Sequence, residues 1–360
     1  MESTSCVQAA DYDLDGDLDL FVGVRLKPGV YGVPVSAYLL ENDGAGNFKN
    51  VTEELAPELI GIGMITDALW TDFDQDNDPD LFIVGEWMPL TIMQNKNGHF
   101  KNISSEARLD QSNGFWNCIK AGDLDNDGDP DYIVGNHGLN TRFKASQKRP
   151  LSMLVNNFDM NTTVSQIISG YNGDKAYPFA RRNDLVMQIP GLRNKYPLHT
   201  NYKEQTIEDI FTEEQIRTSA KSFIYNTQSS IAWNNGNGTF DLESLPLESQ
   251  FAPVYGILVK DVDHDGNLDI LIGGNFYRSK PEVGIYDGSY GLVLKGNGKG
   301  RFAPLKAERS GFLVKGEIRD FLHIKVNDTD FILVARNNDS LLTFTKQEAP
   351  FSLKEGESLK

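Results

Sequence analysis

The amino-acid sequence predicts an all-β fold built from repeated four-stranded antiparallel units. Two observations carry this prediction: an aspartate-rich loop recurs four times with the same spacing, and short apolar segments of strand character flank each copy. A second turn signal, rich in Asn and Gly and ending in Phe, follows several of these loops. Each repeat therefore contains two hairpins, in a unit of about 50 to 60 residues.

The first hairpin of each repeat carries a loop of the form D-x-D-x-D-x-x-x-D. Its copies, named aspartate loops 1 to 4 here, are DYDLDGDLD at 11–19, DFDQDNDPD at 72–80, DLDNDGDPD at 123–131 and DVDHDGNLD at 261–269. The apolar segments that follow, such as LDLFVG and PDLFIVG, are too short for core helices and are typical of buried strands. Each loop is thus expected to join the first and second strands of its unit.

The second hairpin of a repeat is marked by Asn and Gly, which tolerate the positive φ that tight hairpin turns require. Its copies are YLLENDGAGNF at 38–48, TIMQNKNGHF at 91–100, SIAWNNGNGTF at 230–240 and LVLKGNGKGRF at 292–302. These hairpins supply the third and fourth strands.

Two further units are degenerate. Asn157, Asp159, Asn161 and Ser165 keep the loop spacing but lose most of its charge, and residues 321–338 read as two strands joined by a short turn. Six units are therefore expected, and the last lacks its final strand.

Residues 182–223 break the strand pattern and read as helical, with Thr212 and Gln215 at the spacing of a capping box. We expect them to form a helical insertion within the fourth unit. The repeat domain is predicted over residues 1–345, followed by a C-terminal tail at 346–360.

The charge of the chain is negative and localised. A formal net charge of −17 excludes a nonspecific nucleic-acid binder, because such proteins need clustered Lys and Arg to bind phosphate. The four aspartate loops hold 19 of the 51 acidic residues, and the remaining acids are balanced by 34 Lys and Arg. Carboxylates concentrated in discrete loops predict a bound cation.

The two cysteines and the first residues bear on the compartment. Cys6 and Cys118 stand at equivalent positions, each five residues before an aspartate loop, so we expect two buried free thiols. The first residues lack an apolar signal core, and no run is long enough to span a bilayer. We interpret the chain as part of a longer exported protein; a cytoplasmic protein is the alternative.

The loops have the chemistry of calcium sites. Ca²⁺ takes roughly six to eight oxygen ligands, which alternating carboxylates around a sharp turn at the sixth position can supply. An EF-hand is excluded, because its bidentate Glu is replaced by Val22, Ile83, Val134 and Ile272 at the twelfth position. We expect about four Ca²⁺ ions in a structural role; acidic turns solvated without an ion are the alternative.

The predicted metal-site residues occupy positions 1, 3, 5 and 9 of each loop, with position 7 contributing its backbone carbonyl. They are Asp11, Asp13, Asp15, Asp17, Asp19; Asp72, Asp74, Asp76, Asp78, Asp80; Asp123, Asp125, Asp127, Asp129, Asp131; and Asp261, Asp263, Asp265, Asn267, Asp269.

These repeats resemble a known family. The order strand, D-x-D-x-D-G-x-x-D, apolar strand and N-x-G-x-G-x-F is similar to the FG-GAP/VCBS repeats of the integrin α-subunit β-propeller and of bacterial surface proteins. Stretches such as GDLDNDGDPDYIVGNHGLN and FAPVYGILVKDVDHDGNLD resemble the bacterial ASPIC/UnbV proteins related to cartilage acidic protein. The resemblance covers roughly residues 5–345.

The resemblance implies a β-propeller of four-stranded antiparallel blades, with about six visible here and seven usual in the family. It also implies calcium in the hairpin loops, export to the bacterial outer surface or periplasm, and a role in adhesion or surface assembly.

Propeller topology predicts where a partner binds. The aspartate loops and the Asn-Gly turns share one face, so the segments after each Gly-ending strand lie on the opposite, calcium-free face. Arg, Asn and aromatic groups there suit a glycan or protein ligand, or the remainder of a longer chain; the alternative is that they pack between blades or are solvated. The predicted ligand-binding residues are Arg25, Trp87, His137, Asn140, Arg181, Asn275, Tyr277 and Arg278.

Two functions compete. The favoured one is a noncatalytic interaction or adhesion module without catalytic residues. The alternative is a polysaccharide lyase or glycosidase with an active site at the channel mouth, where His137 and Tyr277 would perform acid/base work. The sequence contains no nucleophile motif, phosphate loop or HExxH zinc site, which favours the module.

Overall fold

The strands within the described residues form six separate antiparallel sheets. The computed structural model describes residues 2–159, 163–280 and 283–345. Five of these sheets form the propeller series and one is inserted into it, so the six predicted units are corrected to five blades; the last blade has three strands, as predicted. The fold is an all-β propeller of four-stranded blades, as predicted.

Blades 1 and 2 follow the predicted order along the chain. Blade 1 contains β1 Ser3–Ala10, β2 Asp19–Leu26, β3 Tyr38–Asn42 and β4 Phe48–Asn50. Blade 2 contains β5 Met64–Thr71, β6 Asp80–Met88, β7 Thr91–Lys96 and β8 His99–Asn102, and a short strand β9 Gly114–Phe115 pairs with the end of β6.

Blade 3 is discontinuous in sequence. It contains β10 Cys118–Gly122 and β11 Asp131–Gly135, and is completed by β16 Ser230–Asn234 and β17 Phe240–Ser244. Between β11 and β16 lies a further sheet, the inserted sheet, with the order β14, β13, β12, β15. Its strands are β12 Leu151–Asn156, β13 Ser165–Asn172, β14 Lys175–Pro178 and β15 Ala220–Ile224.

This arrangement corrects the predicted fourth unit. The hairpin at 230–240 completes blade 3, because Ile231 and Ala232 pair with Ile133 and Tyr132 of β11. The inserted sheet lies beside the end of β6 and buries Leu151, Met153 and Ile224 against the Trp87 region. It is therefore an insertion into blade 3 and not a blade of the propeller series. Asn161 of the degenerate loop lies outside the described residues.

Blades 4 and 5 complete the series. Blade 4 contains β18 Val254–Lys260, β19 Asp269–Gly274, β20 Leu292–Gly296 and β21 Phe302–Leu305; blade 5 contains β22 Ile318–Val326, β23 Thr329–Arg336 and β24 Leu342–Thr345. The predicted tail at 346–360 lies outside the described residues.

Short helices connect these strands. They are α1 Thr52–Leu55, α2 Arg182–Gln188, α3 Leu192–Lys195, α4 His199–Tyr202, α5 Ile207–Ile210, α6 Glu213–Thr218 and α7 Ala307–Ser310, with 3₁₀ turns at Pro57–Leu59 and Leu247–Gln250. Helices α2 to α6 lie between β14 and β15. The predicted capping box is confirmed: the Gln215 backbone N–H donates to Thr212 Oγ1 (3.2 Å), and the Thr212 N–H donates to Gln215 Oε1 (2.9 Å).

The first strands of the five blades are neighbours in series: β1 contacts β5, β5 contacts β10, β10 contacts β18, and β18 contacts β22. Alternating side chains of each second strand fill the spaces between blades. Leu81 and Ile83 of β6 pack into the core shared with blade 1, whereas Phe82 and Val84 pack into the core shared with blade 3. This explains why the second strands read as continuous apolar runs.

In blades 1 to 4 a Gly follows the apolar run of the second strand, and at two of these positions the cause is steric. A Cβ at Gly85 would lie 2.3 Å from the Met64 carbonyl oxygen, and one at Gly135 would lie 2.6 Å from Cys118 Sγ and 2.7 Å from the Val254 carbonyl oxygen. Glycine thus permits the close approach of the first strand and of the next blade at this point.

Both cysteines are free thiols, as predicted; Cys118 is buried and Cys6 is partly buried. Among the described residues, the helices are too short or too polar for any of them to cross a membrane.

Candidate metal centres and ligand face

Each aspartate loop brings three carboxylates together. In loops 1, 3 and 4, oxygens from positions 1, 3 and 5 lie within 4.8 Å of one another; in loop 2 the corresponding group is Asp72, Asp74 and Asp80. An all-oxygen, multiply anionic donor set suits a hard divalent cation such as Ca²⁺. The residues present therefore fit the predicted ion.

A repeated hydrogen-bond pattern shapes each loop. In loop 1, the carboxylate of Asp11 accepts the backbone N–H groups of Asp15 (3.0 Å) and Gly16 (3.1 Å), and Asp15 accepts the N–H of Asp17 (3.1 Å). The same three contacts occur in loops 2, 3 and 4. The backbone thus holds the carboxylates of positions 1 and 5 in place through interactions within the loop.

Two positions of every loop adopt left-handed backbone geometry. The sixth position was predicted to do so, and Gly16, Asn77, Gly128 and Gly266 have φ between 71° and 103°. The fourth position was not predicted, yet Leu14, Gln75, Asn126 and His264 have φ of 58° to 63°. These four residues share no side-chain type, so the sequence gives no signal for the second left-handed position.

The ninth aspartate of each loop is buried and anchors the third strand. Asp80 accepts the backbone N–H of Asn95 on β7 (2.7 Å) and that of Phe73 in its own loop (3.3 Å). Burial is the main cause that raises the pKa of these carboxyls, to about 8 at Asp80, about 7 at Asp131 and about 6 at Asp19. The ninth position therefore joins the loop to the neighbouring strand as well as contributing a carboxylate near the cluster.

Asparagine side chains connect neighbouring loops. Asn95 Nδ2 donates to the carbonyl of Tyr12 in loop 1 (2.8 Å), and Asn234 Nδ2 donates to the carbonyl of Phe73 in loop 2 (2.9 Å). Each bond runs from the third strand of one blade to the loop of the preceding blade. The loops thus form part of the contact between blades.

A lysine on the third strand of blade 4, which the sequence analysis missed, contacts loop 4. Lys295 Nζ on β20 contacts the carboxylates of Asp263 and Asp265, the latter at 3.0 Å. The hydrogen bond from Lys295 is the largest cause that lowers the pKa of Asp265. Lys295 therefore supplies part of the positive charge that a cation would supply to this cluster.

On the opposite face, a charged network surrounds the predicted residue Arg25. Arg25 Nη2 lies 2.6 Å from Glu86 Oε1, and Glu86 Oε2 accepts the Tyr31 hydroxyl (2.9 Å). Trp87 is only 5% exposed and donates through Nε1 to the Tyr31 hydroxyl (3.0 Å). Trp87 thus supports this network from the core, and direct contact between Trp87 and a ligand stays a prediction.

His137 also faces inward. Its ring packs against Phe115, Phe143 and Tyr286, with centroids 4.8 to 5.8 Å apart, and its Nε2 is buried without a hydrogen-bond partner among the described residues. Burial lowers the pKa of His137 to about 4. A neutral imidazole whose Nε2 is buried among aromatic rings does not fit an acid/base role through that nitrogen.

The remaining predicted ligand residues lie at separate places. Asn275 is buried and donates to the Ser289 and Gly316 carbonyls (2.7 and 2.9 Å). Asn140 is exposed and donates to the Phe251 carbonyl (3.2 Å). Tyr277 and Arg278 are exposed on the segment after β19, and Arg181 lines a cleft beside α2.

The sequence analysis missed the contact between Tyr255 and Arg319 on the first strands of blades 4 and 5. They lie at irregularities in the strand pairing of β18 and β22, and the Arg319 guanidinium stands 4.4 Å from the Tyr255 ring centroid. Similar irregularities occur in β1 and β5. A bulge of this kind changes the direction of a single side chain. It cannot be predicted from the sequence, because one extra residue does not change the apolar pattern of the strand.

The cleft that contains Arg181 has a volume of about 480 Å³. It lies between the inserted sheet, α2, the segment after β11 and the segment after β19, and Arg142, Arg181 and Lys280 bring three cations to its lining. Its remaining lining residues are Tyr31, Phe143, Gln166, Ile168, Phe179, Ala180, Asp184, Met187, Gln188 and Val283.

Comparison with known proteins finds a similarity in the first part of the chain. Residues 11–83 and 72–134 match the model of the FG-GAP-like repeat, and each matched span begins at an aspartate loop. Blades 1 and 2 and the start of blade 3 are thus similar to FG-GAP-like repeats. The ASPIC/UnbV assignment is not confirmed.

Several solved structures are similar to this chain at low sequence identity. They include the biofilm matrix protein Bap1 of V. cholerae (10% identity, 93% of this chain and 74% of that chain, TM-score 0.28) and the exotype rhamnogalacturonan lyase YesX (11%, 95% and 55%, TM-score 0.37). A third is the Dos1 propeller (12%, 96% and 93%, TM-score 0.25). No curated protein matches the chain.

Proposed function

We propose that this chain is a calcium-stabilised β-propeller module of an exported or surface protein, and that it binds a protein or glycan on the calcium-free face. One observation supports the proposal most directly. Each of the four aspartate loops holds a cluster of three carboxylates, and the same backbone hydrogen bonds shape all four loops. Without a cation these carboxylates repel one another at short range.

Calcium in these loops would act on the fold. Each loop joins the first two strands of a blade, and its ninth aspartate holds the third strand, so an ion that orders the loop also orders the blade. Extracellular calcium modules bind with dissociation constants of roughly 0.1 to 1 mM, and a site at ten times its dissociation constant adds about 1.4 kcal/mol of stability. This supports a structural ion in a calcium-rich compartment outside the cell.

Calcium titration of single-loop variants tests the proposal. Asp125→Asn removes a carboxylate of loop 3 and retains the contacts that Asp123 makes with the backbone N–H groups of Asp127 and Gly128. Isothermal titration calorimetry should show one fewer calcium ion bound than in the unmodified chain. Glu243→Gln, on exposed β17, is the matched control and should bind the full number. Equal stoichiometry in both variants would exclude loop 3 as a calcium site.

A further inference from the structure

We infer that the 480 Å³ cleft lined by Arg142, Arg181 and Lys280, named the cationic cleft here, binds a carboxylate-bearing oligosaccharide. This inference rests on the proposed function, since it names the ligand class of the calcium-free face. The volume lies within the range of roughly 300 to 1,000 Å³ that is typical of small-molecule sites.

Cations outnumber acids among the described lining residues of the cationic cleft, although the chain has a formal net charge of −17. These described residues include Arg142 and Lys280, together with Arg181 and Asp184. Cations gathered on an acidic protein provide local complementarity for an anion. The aspartate loops lie at the other ends of the strands, so the site and the predicted calcium ions occupy opposite faces.

Arg142 is held in place by two aromatic rings. Its guanidinium carbon stands 5.4 Å from the Phe143 ring centroid and 5.2 Å from that of Phe179. A guanidinium fixed over aromatic faces loses less freedom when it forms two parallel hydrogen bonds with a carboxylate. The arrangement therefore favours a planar carboxylate over a diffuse anion.

The other lining groups favour a sugar over an acidic peptide. Phe179, Phe143 and Tyr31 offer apolar faces that suit the C–H face of a pyranose ring, and the side chains of Gln166 and Gln188 can donate to and accept from hydroxyls. An acidic peptide would be recognised mainly through its charges and backbone groups, and would not need this mixture of amides and rings.

A second cleft continues the site along α2. It has a volume of about 680 Å³, shares the exposed Met187 with the cationic cleft, and adds Arg182 and Arg193. Arg182 is positioned by bonds to the carbonyls of Tyr196 (2.6 Å) and Pro197 (2.9 Å). Cations in both clefts suit a chain of several acidic sugar units, which extends the inference from one sugar to an oligomer.

The test is calorimetric titration of the calcium-loaded chain with a trimer of 1,4-linked galacturonate, both dialysed against the same calcium buffer. The neutral galactose trimer and hexaglutamate are the comparison ligands. The galacturonate trimer should bind at least about tenfold more tightly than either comparison ligand. The galactose trimer lacks the carboxylate for a charge-assisted bidentate contact, and hexaglutamate lacks the sugar rings and hydroxyls.

Variants locate the binding. Lys280→Ala and Arg142→Lys should each weaken binding of the galacturonate trimer about five- to tenfold, the second because lysine keeps the charge but not the planar fork. Arg301→Ala, an exposed cation on the aspartate-loop face, is the matched control and should bind normally. Unchanged melting temperatures show that the variants fold.

Calcium stabilisation is measured first on the same samples, so failure of the two claims is distinguishable. If calcium raises the melting temperature but the galacturonate trimer does not bind, the inference about the cationic cleft is overturned and the calcium module stands. If hexaglutamate binds more tightly than the galacturonate trimer, the ligand class is an acidic peptide and the saccharide inference is wrong. If Lys280→Ala and Arg142→Lys leave binding of the trimer unchanged, the trimer does not bind in the cationic cleft.

Discussion

At the scale of single residues, Lys295 distinguishes aspartate loop 4 from the other three. Its ammonium group contacts two carboxylates of the cluster, whereas the corresponding Gln94 on β7 donates an uncharged amide to Asp74 (2.6 Å). A lysine at this point competes with a bound cation for the same oxygens. We therefore expect loop 4 to be the weakest calcium site.

Lys295→Gln should increase the calcium affinity of loop 4 about fivefold, because it removes an exposed competing cation and leaves an amide like that of Gln94. Calorimetric titration resolves the change as a tightening of the weakest site. Lys299→Gln, in the same turn, is the control and should leave the affinity unchanged. A loss of affinity in Lys295→Gln would show that Lys295 supports the loop instead of competing with the ion.

Asn95 tests the contact between loops at the same scale. Asn95 and Asn42 both donate to a carbonyl of their own loop and accept an N–H from their own turn. Of the two, Asn95 also donates to the preceding blade, through the Tyr12 carbonyl, whereas the described contacts of Asn42 stay within blade 1.

Asn95→Ala should lower the free energy of unfolding by about 2 kcal/mol, because it leaves a buried carbonyl without its partner. Asn42→Ala should cost less than about 1 kcal/mol. Urea denaturation measures both free energies, and equal costs would contradict a special role for the contact between blades.

At the scale of elements, the segment after β11 carries a partly buried histidine that is uncharged at neutral pH. His137 is enclosed by Phe115, Phe143 and Tyr286, and its pKa is lowered to about 4 by burial. Above a pH of about 6.5 it is neutral in both the folded and the unfolded chain. Between that pH and about 4 the unfolded chain binds a proton that the folded chain does not, so acid destabilises the fold through this residue.

His137→Phe should therefore reduce the loss of stability on acidification. The free energy of unfolding of the unmodified chain should fall relative to that of the variant by up to about 3 kcal/mol between pH 7 and pH 4. Denaturation of both proteins at a series of pH values measures this difference. The buried aspartates contribute in the opposite direction, but they are present in both proteins, so their contribution largely cancels. Parallel pH profiles would contradict burial of a neutral His137.

The elements also show what the sequence can and cannot specify. The four loops, the second hairpins and the capping box at Thr212 were predictable, because each depends on residues close together in sequence. The pairing of Ile231 with Ile133 was not, because a hairpin motif does not name the strand beside it. The contact of Lys295 with Asp265 could not be predicted for the same reason, because it joins strand β20 to a loop about thirty residues earlier in the sequence.

At the scale of the whole molecule, five blades pack in series through their first strands, and four of them carry an aspartate loop on one face. The opposite face carries the cationic cleft and the inserted sheet. This division places the proposed stabilising ions and the proposed ligand at different ends of the same strands. Loss of calcium should therefore affect ligand binding only through the stability of the blades.

The measurement that tests the central claim most directly is thermal unfolding of the chain in EDTA and across a calcium titration from micromolar to several millimolar. If three strong sites are each at ten times their dissociation constant, calcium adds about 4 kcal/mol, which corresponds to a rise of several degrees in melting temperature. Calorimetry should count about four ions, with loop 4 filled last. An unchanged melting temperature and no calcium binding would contradict the account, because the aspartate loops would then be solvated acidic turns.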